Sequence, residues 1–163
     1  MKFKSETFES FKRFNELVEK QSGYSIKILH SDRGGEFTSN EFAAFCEKNG
    51  VHRQLTAPYT PEQNGVAKRK NRTVVEMARS LMNAASLSKR FWAEAVATAV
   101  YILNISPTKA VVNRTPYEAW MSRKPRVSHL KVFGCIAYTL DKSPSRRKLD
   151  VKSEKYIFVG YIP

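Results

Sequence analysis

The chain has 163 residues, of which 42% are hydrophobic, so it carries enough apolar material for one main buried core. Its 28 lysines and arginines against 15 acidic residues leave a charge of +13, which favours a polyanionic partner such as nucleic acid, with a merely solubilising surface as the alternative. The two cysteines are far apart in the sequence and indicate no disulfide framework. The three histidines lack zinc-binding spacing, which argues against a structural zinc site. No apolar run reaches the about 20 residues that a transmembrane helix needs.

The first predicted elements are a helix and a strand that ends in a turn. Apolar residues at helical intervals predict an amphipathic helix over residues 5–20, which Gly23 ends. Residues 25–30 are typical of a short strand, and the paired glycines Gly34 and Gly35 predict a turn after it. Asp32 is therefore expected at the carboxyl end of a strand.

A second helix and a second strand follow. Thr38 and Glu41 fit a capping box at the start of a short helix, which the pair Asn49-Gly50 should end. Residues 51–56 then form the next strand. A strand, a helix and a strand of these lengths predict a parallel pair with a right-handed crossover, and hence an α/β fold.

The strongest helix pattern of the chain comes after an irregular loop over residues 57–64. One face of this helix is apolar and consists of Val74, Met77, Ala78, Leu81, Met82 and Ala85. Basic residues occupy the remainder: Lys68, Arg69, Lys70, Arg72 and Arg79. We expect the first face to pack, and the other to meet either water or an acidic partner.

The last part of the chain begins with a helix over residues 88–104 that is apolar nearly all round, which indicates a core element. Residues 106–128 form a connector that contains a short helix over 116–121, with Pro116 in the first helical position. Residues 131–140 and 155–161 alternate like β-strands. Two strands are hardly stable alone, so they either dock on the core or belong with further strands.

Seven motifs follow one another along nearly the whole chain. They are SDRGGEF at 31–37, APYTPEQNGVA at 57–67, KNRT at 70–73, FWAEA at 91–95, TPYE at 115–118, HLKVFGC at 129–135 and FVGY at 158–161. In this order they resemble the integrase region of copia-type retrotransposon polyproteins.

The resemblance implies a ribonuclease-H-like fold, with a central mixed sheet and helices on both faces. It implies an integrase core over residues 1–105, a connector over 106–128 and a partial SH3-like β module over 129–163. We expect the leading strands of that core to be missing, so that the chain is truncated at its N-terminus and exposes a sheet edge.

The resemblance also implies a site. Such integrases hold two magnesium or manganese ions with an Asp, an Asp and a Glu. Asp32 matches the second of these as a metal ligand and catalytic residue, and the first belongs to an earlier strand, which we expect to be absent. The third should follow Asp32 with 35 residues between them, and Lys68 stands there. Because an ammonium repels the metal, and Glu62 in the loop would be a poorly fixed substitute, we expect an inactive enzyme.

Other acidic residues have simpler interpretations, since Glu36 is typical of a turn and Glu76 of a solvated or salt-bridged helix position. DNA contact does not need the metal. The residues that could contact phosphates or base edges are Tyr59, Thr60, Gln63 and Asn64 in the loop, with Lys68, Arg69, Lys70, Asn71 and Arg72 on the helix. A solvated helix face is the alternative for any one of them.

The sequence thus predicts an integrase-derived, DNA-binding domain that is inactive by itself. Two alternatives remain: a domesticated module that binds a protein or RNA, and a fragment without function. A homo-oligomer is compatible with the resemblance, whereas a membrane partner and a small-molecule substrate are not expected. The chain should be intracellular, and nuclear if it functions.

Overall fold

The computed structural model describes residues 6–56, 65–140, 142–143, 147 and 151–161. The chain divides into two compact units, Met1–Arg69 and Lys70–Pro163. Six α-helices and four β-strands lie in the described residues. None of these helices is both long and apolar enough to cross a membrane.

The first unit contains a parallel strand pair with helices around it. Its elements are α1 (Thr7–Ser22), β1 (Ile28–Ser31), α2 (Gly35–Thr38), α3 (Asn40–Lys48) and β2 (His52–Leu55). β1 and β2 run parallel, with Ile28 opposite His52 and Ser31 opposite Leu55. The predicted strand, helix and parallel strand are confirmed. α1 ends as predicted at Gly23, which adopts a left-handed φ of 72°.

The predicted capping box at Thr38 and Glu41 is wrong. Ser39 is the N-cap of α3, and its hydroxyl accepts the N–H of Phe42 at 3.3 Å. Thr38 is instead the last residue of α2, and its hydroxyl donates to the carbonyl of Gly34 at 3.3 Å. A threonine whose hydroxyl is bonded to the preceding turn in this way does not cap the helix that follows.

Aromatic rings fill the core of the first unit. Phe42 and Cys46 of α3 are fully buried, and Val51 is nearly so. The ring of Phe42 lies 5.0 Å from that of Phe11 and 5.4 Å from that of Phe8, centroid to centroid. These contacts hold α1 against α3, because adjacent aromatic rings contribute both buried area and favourable ring geometry.

The second unit combines helices with an antiparallel strand pair. Its elements are α4 (Gly65–Ala84, whose first turn belongs to the first unit), a 3₁₀ turn (Lys89–Phe91), α5 (Trp92–Ile105), α6 (Pro116–Met121), β3 (Ile136–Leu140) and β4 (Ser153–Ile157). β3 and β4 pair from Ile136 opposite Ile157 to Leu140 opposite Ser153. α6 has the predicted bounds, and Thr115 and Glu118 form the capping box that starts it.

The strand pair docks on the helices of the second unit, which is one of the two outcomes that the sequence left open. Phe133, just before β3, is buried in one cluster with Ala78 and Met82 of α4 and Ala95 of α5. Val159, which follows β4 and lies at the same end of the strand pair as Phe133, packs against the same cluster. The apolar stripe of α4 is thus buried as predicted. An SH3-like module remains a prediction, since two paired strands do not define that fold.

α5 is a core element, as predicted, although only part of its apolar surface is buried. Ala95, Thr98 and Ala99 are buried, but Trp92 and Val100 remain 39% and 40% exposed. Among the described residues, the packed cluster covers the side of α5 that carries Ala95 and Ala99. An apolar helix shows which residues could be buried, whereas the neighbouring elements decide which side is covered.

Candidate functional site

Asp32 lies directly after β1, as the sequence predicts, and its side chain is exposed. One of its carboxylate oxygens, Oδ1, accepts the backbone N–H of Gly34 at 3.1 Å. This bond closes an Asx-turn, which a short acidic side chain forms readily. Neither Gly34 nor Gly35 has a positive φ. The turn therefore depends on the Asp32 carboxylate rather than on glycine conformations, and the same bond orients that carboxylate.

The ends of the two parallel strands are tied together beside Asp32. The N–H of Thr56 donates to the carbonyl of Ser31 at 3.0 Å, which extends the pairing by one residue. Arg33, which follows β1, reaches across to the end of β2, where its Nε donates to the carbonyl of Thr56 at 3.0 Å. Since Asp32 lies between Ser31 and Arg33, it is held by a rigid element, which is what a metal ligand or catalytic group needs.

The acidic residues near this turn do not complete a metal site within the described part of the chain. There, no three His, Cys, Asp or Glu side chains come together as a group that could hold an ion. Glu36 lies in the first turn of α2, and its carboxylate folds over Gly34. The carboxylate of Asp32 alone therefore falls far short of the about six oxygen ligands that Mg²⁺ takes in an octahedral arrangement.

Lys68 lies in the first turn of α4 and is exposed. That turn carries no acidic residue, so the partial positive charge of the helix N-terminus adds to the lysine charge. The chemistry of this position therefore favours an anion over a metal cation.

Four exposed cations form a basic face on α4. At about 100° per residue, they fall within an arc of about 100° on the side opposite the buried stripe. We call this set the α4 basic face; it consists of Lys68, Arg69, Arg72 and Arg79. Arg72 Nε bonds Glu76 Oε1 at 2.9 Å, an exposed pair that raises the pKa of Arg72. The prediction that Glu76 is a salt-bridged helix position is confirmed.

Lys70 and Asn71 are exposed but lie on a different side of α4. Lys70 is one turn before Val74 and two turns before Met77, so it continues the line of the packed stripe. Lys70 is nevertheless exposed, because Val74 is the first residue of α4 that packs against the buried cluster. A flat partner on the α4 basic face would therefore meet Arg72 more directly than Lys70.

The remaining predicted site residues, Tyr59, Thr60, Glu62, Gln63 and Asn64, lie outside the described residues. Sequence reasoning missed the link from Arg33 to Thr56, since neither residue type marks such a bond. The Asx-turn did have a signal, because an aspartate two residues before a glycine is typical of it.

Comparisons with known proteins show which sequences and folds this chain is similar to. The family model described as integrase core domain matches residues 3–61. The chain is 45% identical over 161 residues to the retrovirus-related Pol polyprotein from transposon TNT 1-94 of Nicotiana tabacum. That match covers 99% of this chain but 12% of the polyprotein, so the chain spans about an eighth of its relative.

Two solved structures show the same fold at low sequence identity. One is an intasome of simian T-cell lymphotropic virus in complex with PP2A regulatory subunit B56 gamma. It shares 17% identity with this chain at a TM-score of 0.57, and the match covers 96% of this chain and 54% of the other. The other is the HTLV-2 integrase catalytic core domain in complex with magnesium, in a trimeric form, with 18% identity, a TM-score of 0.53, and coverage of 74% and 71%.

The chain therefore has the ribonuclease-H-like fold of retroviral integrase cores. More particularly, residues 3–61 match the integrase core domain model, and the chain is similar over 99% of its length to part of a retrotransposon Pol polyprotein, as the ordered motifs predict.

Proposed function

We propose that this chain binds DNA through the α4 basic face and does not catalyse strand transfer by itself. The observation that carries the proposal is the α4 basic face, which presents four exposed cations on one side of one helix. Lysine and arginine on a helix contact phosphates without reading sequence, and they give a binding affinity that falls with salt.

Position 68 supports the absence of catalysis. The resemblance places the third acidic ligand there, next to the ion that Asp32 would help to hold. Mg²⁺ or Mn²⁺ in such a site would activate the attacking oxygen and stabilise the leaving one. Two unit charges about 4 Å apart interact by roughly 4 kcal/mol at an effective dielectric constant near 20, so Lys68 would replace an attraction by a repulsion of that size.

The experiment that tests DNA binding is a titration of the full chain into fluorescent duplex DNA at two salt concentrations, with and without Mn²⁺. Circular dichroism first establishes that the chain is folded. We expect tight, salt-dependent binding that Mn²⁺ does not change. Salt-insensitive binding would contradict phosphate contacts, and Mn²⁺-dependent nicking would contradict the proposed inactivity.

Lys68→Glu alone is expected not to restore strand transfer. The change removes the repelling ammonium, but with Asp32 it supplies two carboxylates, whereas this family uses three to hold its ions. The measurement is a gel assay of strand transfer with labelled oligonucleotides and Mn²⁺. Joined product with Lys68→Glu, and its loss in Lys68→Glu/Asp32→Asn, would show that the site is completed by other carboxylates.

Charge reversal at Lys70 and Arg72 is expected to weaken duplex binding. Each phosphate that the protein no longer neutralises reduces the salt slope of the affinity by about 0.9, so the slope of the double variant should fall by up to about 2. Arg72→Glu should account for most of this change, because Arg72 belongs to the α4 basic face and Lys70 does not. The matched control is Lys152→Glu/Lys155→Glu, which changes charge equally at exposed positions near and on β4. An unchanged affinity for Lys70→Glu/Arg72→Glu would contradict the prediction.

A further inference from the structure

A groove in the second unit lies between the loop over residues 107–115 and α6. Two cavities form it: one of about 650 Å³ extends from Thr108 and Lys109 to Glu118, and a second extends from Asn113 to Arg123 and Lys124. They share Asn113, Arg114 and Glu118 as lining residues. The two cavities are therefore neighbours along one stretch of surface, which we call the connector groove.

Basic side chains are spread along the whole connector groove. Lys109 lines one end, Arg114 the middle, and Arg123 and Lys124 the other end, and all four are exposed. The one acidic lining residue, Glu118, is engaged elsewhere, because its carboxylate accepts the N–H of Thr115 at 2.8 Å in the capping box of α6. Four cations against one carboxylate leave the lining of the groove net positive, which attracts a polyanion.

The walls of the connector groove are held in place by local contacts. Thr108 and Val111 form an antiparallel bridge that closes the loop. Arg123 is held by Tyr117, a residue of α6 that does not itself line the cavities: the Nε of Arg123 donates to the hydroxyl of Tyr117 at 3.1 Å, and its guanidinium lies over the same ring. Thr115, where the loop meets α6, is buried. The cations are therefore presented by an ordered frame rather than by a free tail.

We propose that the connector groove binds the phosphate backbone of duplex nucleic acid, as a contact surface separate from the α4 basic face. Cations spaced along an open groove fit successive phosphates of an extended polymer, whereas a single small anion would need them to converge on one point. No aromatic side chain is among the residues that line these two cavities. Since single strands are bound by stacking their bases on aromatic rings, this lining suits a paired duplex, contacted through its phosphates.

The test compares charge-matched variants of the full chain. Arg114→Glu/Lys124→Glu reverses two charges in the groove, and Lys152→Glu/Lys155→Glu reverses two outside it. Arg114→Gln/Lys124→Gln neutralises the groove charges more gently, should either reversal disturb the fold as monitored by circular dichroism. Binding of labelled duplex, labelled single strand and labelled poly-glutamate is followed by fluorescence anisotropy between about 50 and 200 mM salt.

Arg114→Glu/Lys124→Glu leaves two phosphates without a cation, and each phosphate contact contributes about 0.9 to the salt slope of the affinity. The salt slope should therefore fall by about 2, and the duplex affinity at 200 mM salt should fall at least about tenfold. The neutral pair should give a smaller reduction of the same kind. An equal reduction in the Lys152→Glu/Lys155→Glu control overturns the proposal, because net charge alone would then explain it. Groove-dependent binding of poly-glutamate or single strand in preference to duplex overturns it as well.

The same titration separates this inference from the proposed function, with which it shares nucleic acid as partner. Lys68→Glu/Arg72→Glu removes two charges of the α4 basic face. If this variant loses duplex affinity while the groove variants keep it, the proposed function stands and the connector groove is not a contact surface. If both pairs lose affinity, each surface contributes.

Discussion

Replacing Phe42 by alanine is expected to lower the free energy of unfolding of the first unit by about 3–5 kcal/mol. Phe42 is fully buried, and its ring contacts the rings of Phe8, Phe11 and Phe37. Its removal would leave a cavity at the point where α1 meets α3. A domain is stable by only about 5–15 kcal/mol, so this loss is a large fraction of the total.

The thiol of Cys46, which is buried in the same cluster, provides the measurement. In a Cys135→Ser background it is the only thiol of the chain. Cys46 is only 1% exposed and burial raises its pKa, so a reagent that attacks the thiolate reaches it when the unit opens. Because each step of about 1.4 kcal/mol corresponds to a tenfold change, Phe42→Ala should accelerate labelling by about 10²-fold to several thousandfold.

Phe14→Ala is the matched control, because it deletes the same ring from α1 at a position that is 54% exposed. It should change the free energy of unfolding by less than about 1 kcal/mol. Similar labelling rates for the two variants would mean that the aromatic cluster does not hold this unit together.

The sequence predicted the elements whose signals are local. Helical spacing located α1 and α4, and the alternation of strand, helix and strand predicted the parallel pairing of β1 with β2. The strand and turn pattern placed Asp32 after β1, and the motifs added the resemblance that gives this residue a role. Such predictions succeed because a helix or strand must present its apolar residues on one side, whatever it packs against.

What the sequence did not predict depends on contacts between elements. Thr38 carries a hydroxyl suited to a cap, but α2 occupies the residues before it and Ser39 caps α3 instead. α5 is apolar enough to be buried on every side, yet Trp92 remains exposed. In each case the residue types permit several outcomes with similar local energies, and the neighbouring structure selects among them.

The candidate site shows the same division. A basic helix was predicted, and its separation into the α4 basic face and Lys70 follows directly from helical geometry. The connector groove was not predicted, because Lys109 and Arg123 are far apart in sequence and line neighbouring cavities only through the fold of the loop and α6.

Replacing Gly134 by alanine is expected to destabilise the second unit by about 2–5 kcal/mol. Gly134 has a φ of +81°, which disfavours any side chain, and a Cβ added there would lie 2.2 Å from the Cβ of Ala85. It follows Phe133 and precedes β3, so the clash would push the strand pair away from the end of α4. Trp92 and Trp120 both belong to this unit, so the melting temperature followed by tryptophan fluorescence should fall by at least about 10 °C.

Two further variants separate the clash from the backbone strain. Gly23→Ala has a similar φ of +72° but meets nothing within 4 Å, so it should cost the first unit only about 1–2 kcal/mol, as Cys46 labelling would show. Ala85→Gly removes the atom that Gly134→Ala would strike, and the next atom, Ala85 Cα, would then be 3.4 Å away. The double variant should therefore be more stable than Gly134→Ala alone, although Ala85→Gly by itself removes a packed methyl group. Simple addition of the two destabilisations would mean that the strand pair does not rest on α4 at this point, and that its docking depends on Phe133 and Val159 instead.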